Sequence, residues 1–201
     1  MRALILVDVQ NDFMPGGPLA VPDGDAVVPV INRIQEAYDV VVATQDWHPA
    51  DHGSFASRHP DTEPFAEGTL DGVAQTFWPD HCVQGTRGAA FHPDLDTRPA
   101  VAIFRKGVER RVDSYSAFFD NGRRRHTGLE AWLRSKDVDT VHVAGLAAEI
   151  CVAFTAADAR ELGFDVVVLE AATRALDERA WREKAAELRD AGVRIEDGAP
   201  G

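Results

Sequence analysis

Five short apolar runs constrain this chain more than any other feature: Ala3–Val9, Asp39–Gln45, Val101–Phe104, Thr140–Ala144 and Asp165–Leu169. Their apolar cores are nearly continuous rather than alternating, as expected of strands buried on both faces. Stretches with helical spacing lie between them. Val27, Val30, Ile31 and Ile34 repeat up to Tyr38, with Asp25 near the start. Gly128–Lys136 is amphipathic, and Ile150, Phe154 and Ala157 are spaced for one buried face. Glu178–Ala191 forms a last helix closed by Gly192, and Gly163 is placed to stop the helix before it. Val193–Ile195 adds a short edge strand. This alternation predicts a three-layer α/β/α fold, a mostly parallel sheet of about six strands with helices on both faces. At 201 residues the chain is long enough to bury a full core, so residues 1–201 are expected to form a single domain.

Ligands of such sheets bind beyond the carboxyl ends of the strands. Asp8, Asp46, Lys106 and the turn leading to Cys151 each fall at that end of a different run. The stretch Val143-Ala-Gly-Leu-Ala-Ala-Glu-Ile-Cys-Val-Ala-Phe-Thr-Ala-Ala-Asp158 leaves a strand, turns at Gly145 and enters a helix. Cys151 therefore sits in a first helical turn, where free N–H groups and the helix dipole lower a thiol's pKa. By itself such a cysteine is more often a small buried hydrophobe. Asp8 and Lys106 by themselves fit a buried ion pair at a sheet edge equally well. Together the three make nucleophilic hydrolysis the better account: Cys151 attacks, Asp8 moves protons, and Lys106 keeps Asp8 ionised.

From about 46 to 99 no long periodic segment is visible, and Pro, Gly and His are frequent. A loop of that length is usually functional. Asp46, His48 and His81 make one carboxylate and two imidazoles, a donor set for one divalent metal ion, with zinc first and iron or manganese as alternatives. His52 is a further candidate, but His52, His59 and His92 are read as supporting or surface residues.

The balance of 33 acidic against 21 basic residues, −12 overall, argues against nucleic acid or an anionic membrane as a partner. Arg123-Arg124-Arg125 is the one compact basic cluster and is expected to be a solvated loop. The N-terminus lacks the pattern of a signal peptide, and no apolar run is long enough to span a membrane. Two cysteines, Cys82 and Cys151, form no disulfide framework, which fits a cytoplasmic setting.

Six segments together resemble a known family. They are Leu6-Val-Asp-Val-Gln-Asn-Asp-Phe13, Ala43-Thr-Gln-Asp-Trp-His-Pro-Ala-Asp-His52, Trp78-Pro-Asp-His-Cys-Val-Gln-Gly-Thr86, Arg105-Lys-Gly107, Asp113-Ser-Tyr-Ser-Ala-Phe118 and Gly145 to Cys151. Over nearly its whole length the chain resembles the nicotinamidases and pyrazinamidases of the isochorismatase-like cysteine hydrolase superfamily. The resemblance implies a catalytic triad of Asp8, Lys106 and Cys151, and metal ligands Asp46, His48 and His81. It implies Phe13 and Trp78 on either side of a pyridine ring whose nitrogen meets the metal, with Tyr115 as a further substrate contact. It also implies a cis peptide before Ala147 and an oxyanion hole made by the N–H groups of Ala147 and Cys151. The expected reaction is hydrolysis of nicotinamide to nicotinate and ammonia in NAD salvage. The partner is then a small molecule, and homo-oligomerisation stays open. The rivals are a related small-amide cysteine hydrolase, a hydrolase whose metal activates water, and an inactive ligand-binding protein on the same scaffold. One departure stands out: Ala147-Ala148-Glu149-Ile150 replaces the family's usual Ala-Thr-Asp before an aromatic residue, changing the polarity or support of the pocket.

Overall fold

The computed structural model describes residues 1–198. In chain order its elements are β1 (Arg2–Val7), α1 (Val27–Ile34), β2 (Val40–Asp46), β3 (Glu67–Leu70), β4 (Val73–Thr76) and β5 (Ala100–Lys106). Then come α2 (Leu129–Arg134), β6 (Thr140–Gly145), α3 (Ala153–Glu161), β7 (Asp165–Thr173), α4 (Glu178–Asp190) and β8 (Arg194–Glu196). Six strands form one sheet in the order β5-β2-β1-β6-β7-β8, and every neighbouring pair is parallel.

The apolar runs explain this sheet. Successive side chains of a strand point to opposite faces. In β1, Ala3, Ile5 and Val7 enter one core with Leu129, Leu133, Ala156, Trp181 and Leu188 from α2, α3 and α4. Leu4 and Leu6 enter the other core with Val27, Ile31 and Ile34 of α1. Both faces are covered, so three layers form. Each fully buried Leu or Ile contributes about 1.5–3 kcal/mol relative to exposure.

Chain direction across the sheet reverses beside β1. The strand pairs with β2 on one side and β6 on the other, and the chain builds outward to β5 before crossing back to β6. Such a switch point leaves a crevice at the carboxyl ends of the two central strands. Gly145 (φ +123°) lets the chain turn there, since a side chain would collide with the Val7 backbone.

Two expectations change. The segment from 46 to 99 is not structureless: β3 and β4 pair as an antiparallel hairpin, from Glu67↔Thr76 to Leu70↔Val73. With four residues per strand and a Gly in the turn, the hairpin was too short to show a period. The buried face of α3 is also not the Phe154–Ala157 face. Ala153, Ala156 and Ala159 are buried, whereas Phe154 is 40% exposed. The small residues let α3 sit close to the sheet, so the apolar content of its buried face is low and its period misleading. Arg123, Arg124 and Arg125 are exposed on a turn, as expected of a solvated loop, and form surface pairs with Asp158 and Glu161, Asp71, and Glu109 respectively.

Candidate active site

Asp8 leaves β1 in a left-handed conformation (φ +49°), a costly backbone for a non-glycine residue. The conformation is held by Thr44 of β2, whose hydroxyl donates to Asp8 Oδ1 at 2.7 Å and accepts from the Asp8 N–H at 3.2 Å. Register then sets the next two residues: Asp46 at the end of β2 faces Lys106 at the end of β5. The Lys106 ammonium lies 2.7 Å from Asp8 Oδ2 and donates to Asp46 Oδ1 at 2.7 Å, to the Ser114 carbonyl at 2.9 Å and to Cys151 Sγ at 3.4 Å. The two groups separated in the sequence are therefore one cluster with a shared lysine.

Cys151 lies in a π-helical turn, Ala148–Val152, that leads into α3. The peptide joining Leu146 to Ala147 is cis. Oxygens of Asp8 and Asp46 and the sulfur of Cys151 lie within 4.8 Å of one another. At this helix start the thiol is raised, not lowered. Burial pushes Cys151 well up, and Lys106 only partly offsets it. Burial also raises Asp8, against the pull of Lys106. Burial opposes the ions of Lys106 and Asp46, yet their mutual attraction holds the amine well above and the carboxyl well below their usual ranges. The free protein thus presents a protonated thiol beside a carboxylate with raised proton affinity. That is a nucleophile and a base to deprotonate it.

The loop supplies the imidazoles. His48 Nδ1 lies 2.8 Å from the Gly107 carbonyl and His81 Nδ1 lies 2.8 Å from the Pro79 carbonyl. A carbonyl only accepts, so both rings carry their proton on Nδ1 and turn a lone pair outward on Nε2. Those two nitrogens face one oxygen, Asp46 Oδ2, at 3.4 and 3.7 Å. His48 Nε2 is buried without a hydrogen-bond partner. Three lone-pair donors converging in a buried place fit a divalent cation. Two other groups have metal-like spacing but are already committed. In the set His48, His52 and Asp113, His52 Nδ1 pairs with Ser54 Oγ at 2.7 Å and Asp113 accepts from Gln75 and Ser114. In the set Asp8, Asp46 and Cys151, the Lys106 ammonium contacts all three residues.

An apolar cavity opens above the thiol. Its walls include Phe13, Trp78, Tyr115 and Ala147, with Asp46, His81 and Cys151 at its polar end. Every residue singled out for catalysis, substrate or metal lies here, save Asp8, His48 and Lys106 packed directly behind. Asp113, Leu19, Val21, Ile150 and Leu176 complete the wall; Leu19, Val21 and Leu176 carry no sequence signal, being ordinary apolar residues on irregular backbone. Sequence reasoning also missed Thr44, Gln10 and Asp113. Gln10 accepts from the Asp46 N–H and donates to the Asp46 and Ala89 carbonyls, all at 2.8 Å, clamping the loop to β2. All three lie within the family-like segments, and Thr44 is also a polar residue inside an apolar run.

Comparison with known proteins agrees with this fold. An isochorismatase domain is matched over residues 2–199. A nicotinamidase from Escherichia coli (strain K12) is 56% identical over 172 residues, covering 84% of this chain and 80% of the relative. The structure of an Acinetobacter baumanii nicotinamidase/pyrazinamidase superposes with a TM-score of 0.94 at 44% identity, covering 97% of this chain and 95% of that one. A Pyrococcus horikoshii pyrazinamidase in complex with zinc superposes with a TM-score of 0.78 at 37% identity, covering 96% and 97%.

Proposed function

The chain belongs to the isochorismatase family, and on that premise we propose that it is a nicotinamidase, hydrolysing nicotinamide to nicotinate and ammonia in NAD salvage. One observation carries the reading: the Cys151 thiol, with Asp8 and Lys106 behind it, lines an apolar cavity that Asp46 and His81 also line. A planar heterocycle with an amide on one side and a ring nitrogen on another fits such a cavity. In this reading the chain is one hydrolase domain, with the metal-bearing loop at about 46–99.

Asp8 takes the proton from Cys151 as the sulfur attacks the amide carbon. The N–H groups of Ala147 and Cys151 hold the oxygen that becomes negative. Asp8 returns the proton to the nitrogen, the C–N bond breaks and ammonia leaves a thioester on Cys151. Asp8 then removes a proton from water as it attacks the thioester and returns that proton to the departing sulfur, releasing the thiol and the acid, which ionises to nicotinate. Throughout, Lys106 balances the charge that passes between Asp8 and the sulfur. Phe13 and Trp78 hold the ring, with Tyr115 bordering it. A divalent cation, zinc by the chemistry of the donors, would be held by Asp46, His48 and His81 and would supply a Lewis-acid anchor for the ring nitrogen. Cys82 and Cys151 are both free and buried, and a nucleophilic thiol is best preserved in a reducing compartment, so the proposed location is the cytoplasm. No helix among the described residues is long and apolar enough to cross a membrane.

The test is ammonia release by the purified, metal-loaded protein from nicotinamide and from benzamide, which has the amide but no ring nitrogen. Rapid release from nicotinamide and slow release from benzamide is expected. Equal rates, or none from either, would overturn the reading.

A further inference from the structure

Part of the cavity wall comes from two segments distant in sequence. Ala147, Ile150 and Cys151 belong to the nucleophile turn, while Leu176 belongs to the link between β7 and α4. Glu149 joins them. Its carboxylate accepts from two successive backbone N–H groups, Oε1 from Asp177 at 2.7 Å and Oε2 from Leu176 at 3.2 Å. A third tie runs from the Ala148 N–H to the Arg174 carbonyl at 2.9 Å. Glu149 is buried at 7% exposure and forms no ion pair among the described residues, so peptide N–H groups alone answer its carboxylate. Asp177 in turn caps α4, accepting from the N–H groups of Arg179 and Ala180. The wall residue Leu176 thus hangs between a helix cap and the side chain that follows the oxyanion turn.

We propose that Glu149 is a positioning residue for substrate specificity: by holding the Leu176 N–H it sets how far that wall stands from Cys151, and so the size of ring the site accepts. The inference rests on the reaction proposed above. Glu149 touches neither the ring nor the reacting atoms; it acts through Leu176. Its length is the relevant variable, because both oxygens are engaged at once and a shorter acid on the same turn would hold its carboxylate one methylene back from both N–H groups. Removing the side chain frees the wall without altering Cys151, Asp8 or Lys106. Ground-state fit should therefore suffer more than chemistry.

Steady-state kinetics on nicotinamide and on a ring-methylated nicotinamide test this in Glu149→Ala, Glu149→Gln, Leu176→Ala and the Glu149→Ala/Leu176→Ala pair. Glu149→Ala should raise KM for nicotinamide about tenfold while kcat changes less than about threefold, and should cut discrimination against the methylated ring about tenfold. Glu149→Gln, which keeps the length and one acceptor, should fall between. Leu176→Ala should reproduce the loss of discrimination with Glu149 intact, and the pair should show no further loss, since both act through one wall. A lowered thermal midpoint with KM and discrimination unchanged would make Glu149 a cap and nothing more, overturning the inference. Additive losses in the pair would also overturn it. Should Glu149→Ala fail to fold, Glu149→Gln and Leu176→Ala read the same split. No nicotinamide turnover by the unsubstituted protein would instead overturn the proposed reaction, on which this inference depends.

Discussion

The carboxyl-end rim of the sheet and the loop from 46 to 99 meet at one cluster but place their side chains by different means. On the rim, parallel register does the placing: Asp46 faces Lys106 because β2 and β5 pair, and Asp8 and Cys151 follow the two central strands. In the loop the β3–β4 ladder carries neither histidine. His48 and His81 are aimed by single carbonyls, those of Gly107 and Pro79, and the loop is pinned by the side chain of Gln10. A ladder distributes the cost of misplacement over many bonds, whereas a loop concentrates it on a few. Damage on the rim should therefore remove chemistry outright, and damage in the loop should remove positioning.

The largest effect is expected on the rim. Cys151→Ala should lower kcat roughly 10⁴-fold or more, with nicotinamide still binding, because the sulfur serves bond-making and the walls serve affinity. Asp8→Asn should cost nearly as much, and the pair no more than either alone. Mass measurement after acid quench should find the acyl adduct on the unsubstituted protein and none on Cys151→Ala. Wild-type-like turnover in Cys151→Ala would end the nucleophile assignment. Lys106→Ala breaks the distinction between the regions, since it leaves two buried carboxylates without their cation; it should lose activity and also about 3–5 kcal/mol of stability.

Next come the loop ligands. His48→Ala and His81→Ala should lose bound metal and roughly 100-fold in rate through misplacement of the amide. They should also lose most of the preference for nicotinamide over benzamide. Metal analysis and that ratio, measured on the same preparations, decide the matter. A folded, metal-free variant that keeps its preference would show that the loop does not orient the ring.

Gly107 sharpens the comparison because it belongs to the rim and aims a loop residue. It has φ +63°, and a Cβ there would lie 2.5 Å from His48 Nδ1. Gly107→Ala should weaken metal binding by roughly 10- to 100-fold while leaving Cys151 in place. Calorimetric titration with zinc and alkylation of Cys151 by iodoacetamide separate the two effects.

The smallest effect lies in the sheet away from the site. His142 on β6 pairs its Nδ1 with the Tyr38 hydroxyl at 2.9 Å, and burial holds its pKa down from 6.5 to about 4. The unfolded chain binds the proton more readily, so stability should fall as pH drops from 6.5 towards 4, by about 2 kcal/mol at pH 5. His142→Asn retains an acceptor without a titrating ring. Its thermal midpoint should therefore fall less between pH 7 and pH 5 than that of the unsubstituted protein; equal falls would refute the assignment.

By itself the sequence determined the strands, their parallel arrangement and the carboxyl-end placement of Asp8, Asp46, Lys106 and Cys151. Runs apolar on both faces have one economical packing, and chain reversal beside β1 brings their ends together. It also marked Asp46, His48 and His81 through their motif. Tertiary structure alone decided that one lysine serves both carboxylates, that burial leaves Cys151 protonated, and that Glu149 ties the nucleophile turn to Leu176. Those outcomes depend on distances between residues many positions apart on irregular backbone. There no period links sequence to direction, and a methylene's length decides which donor an oxygen reaches.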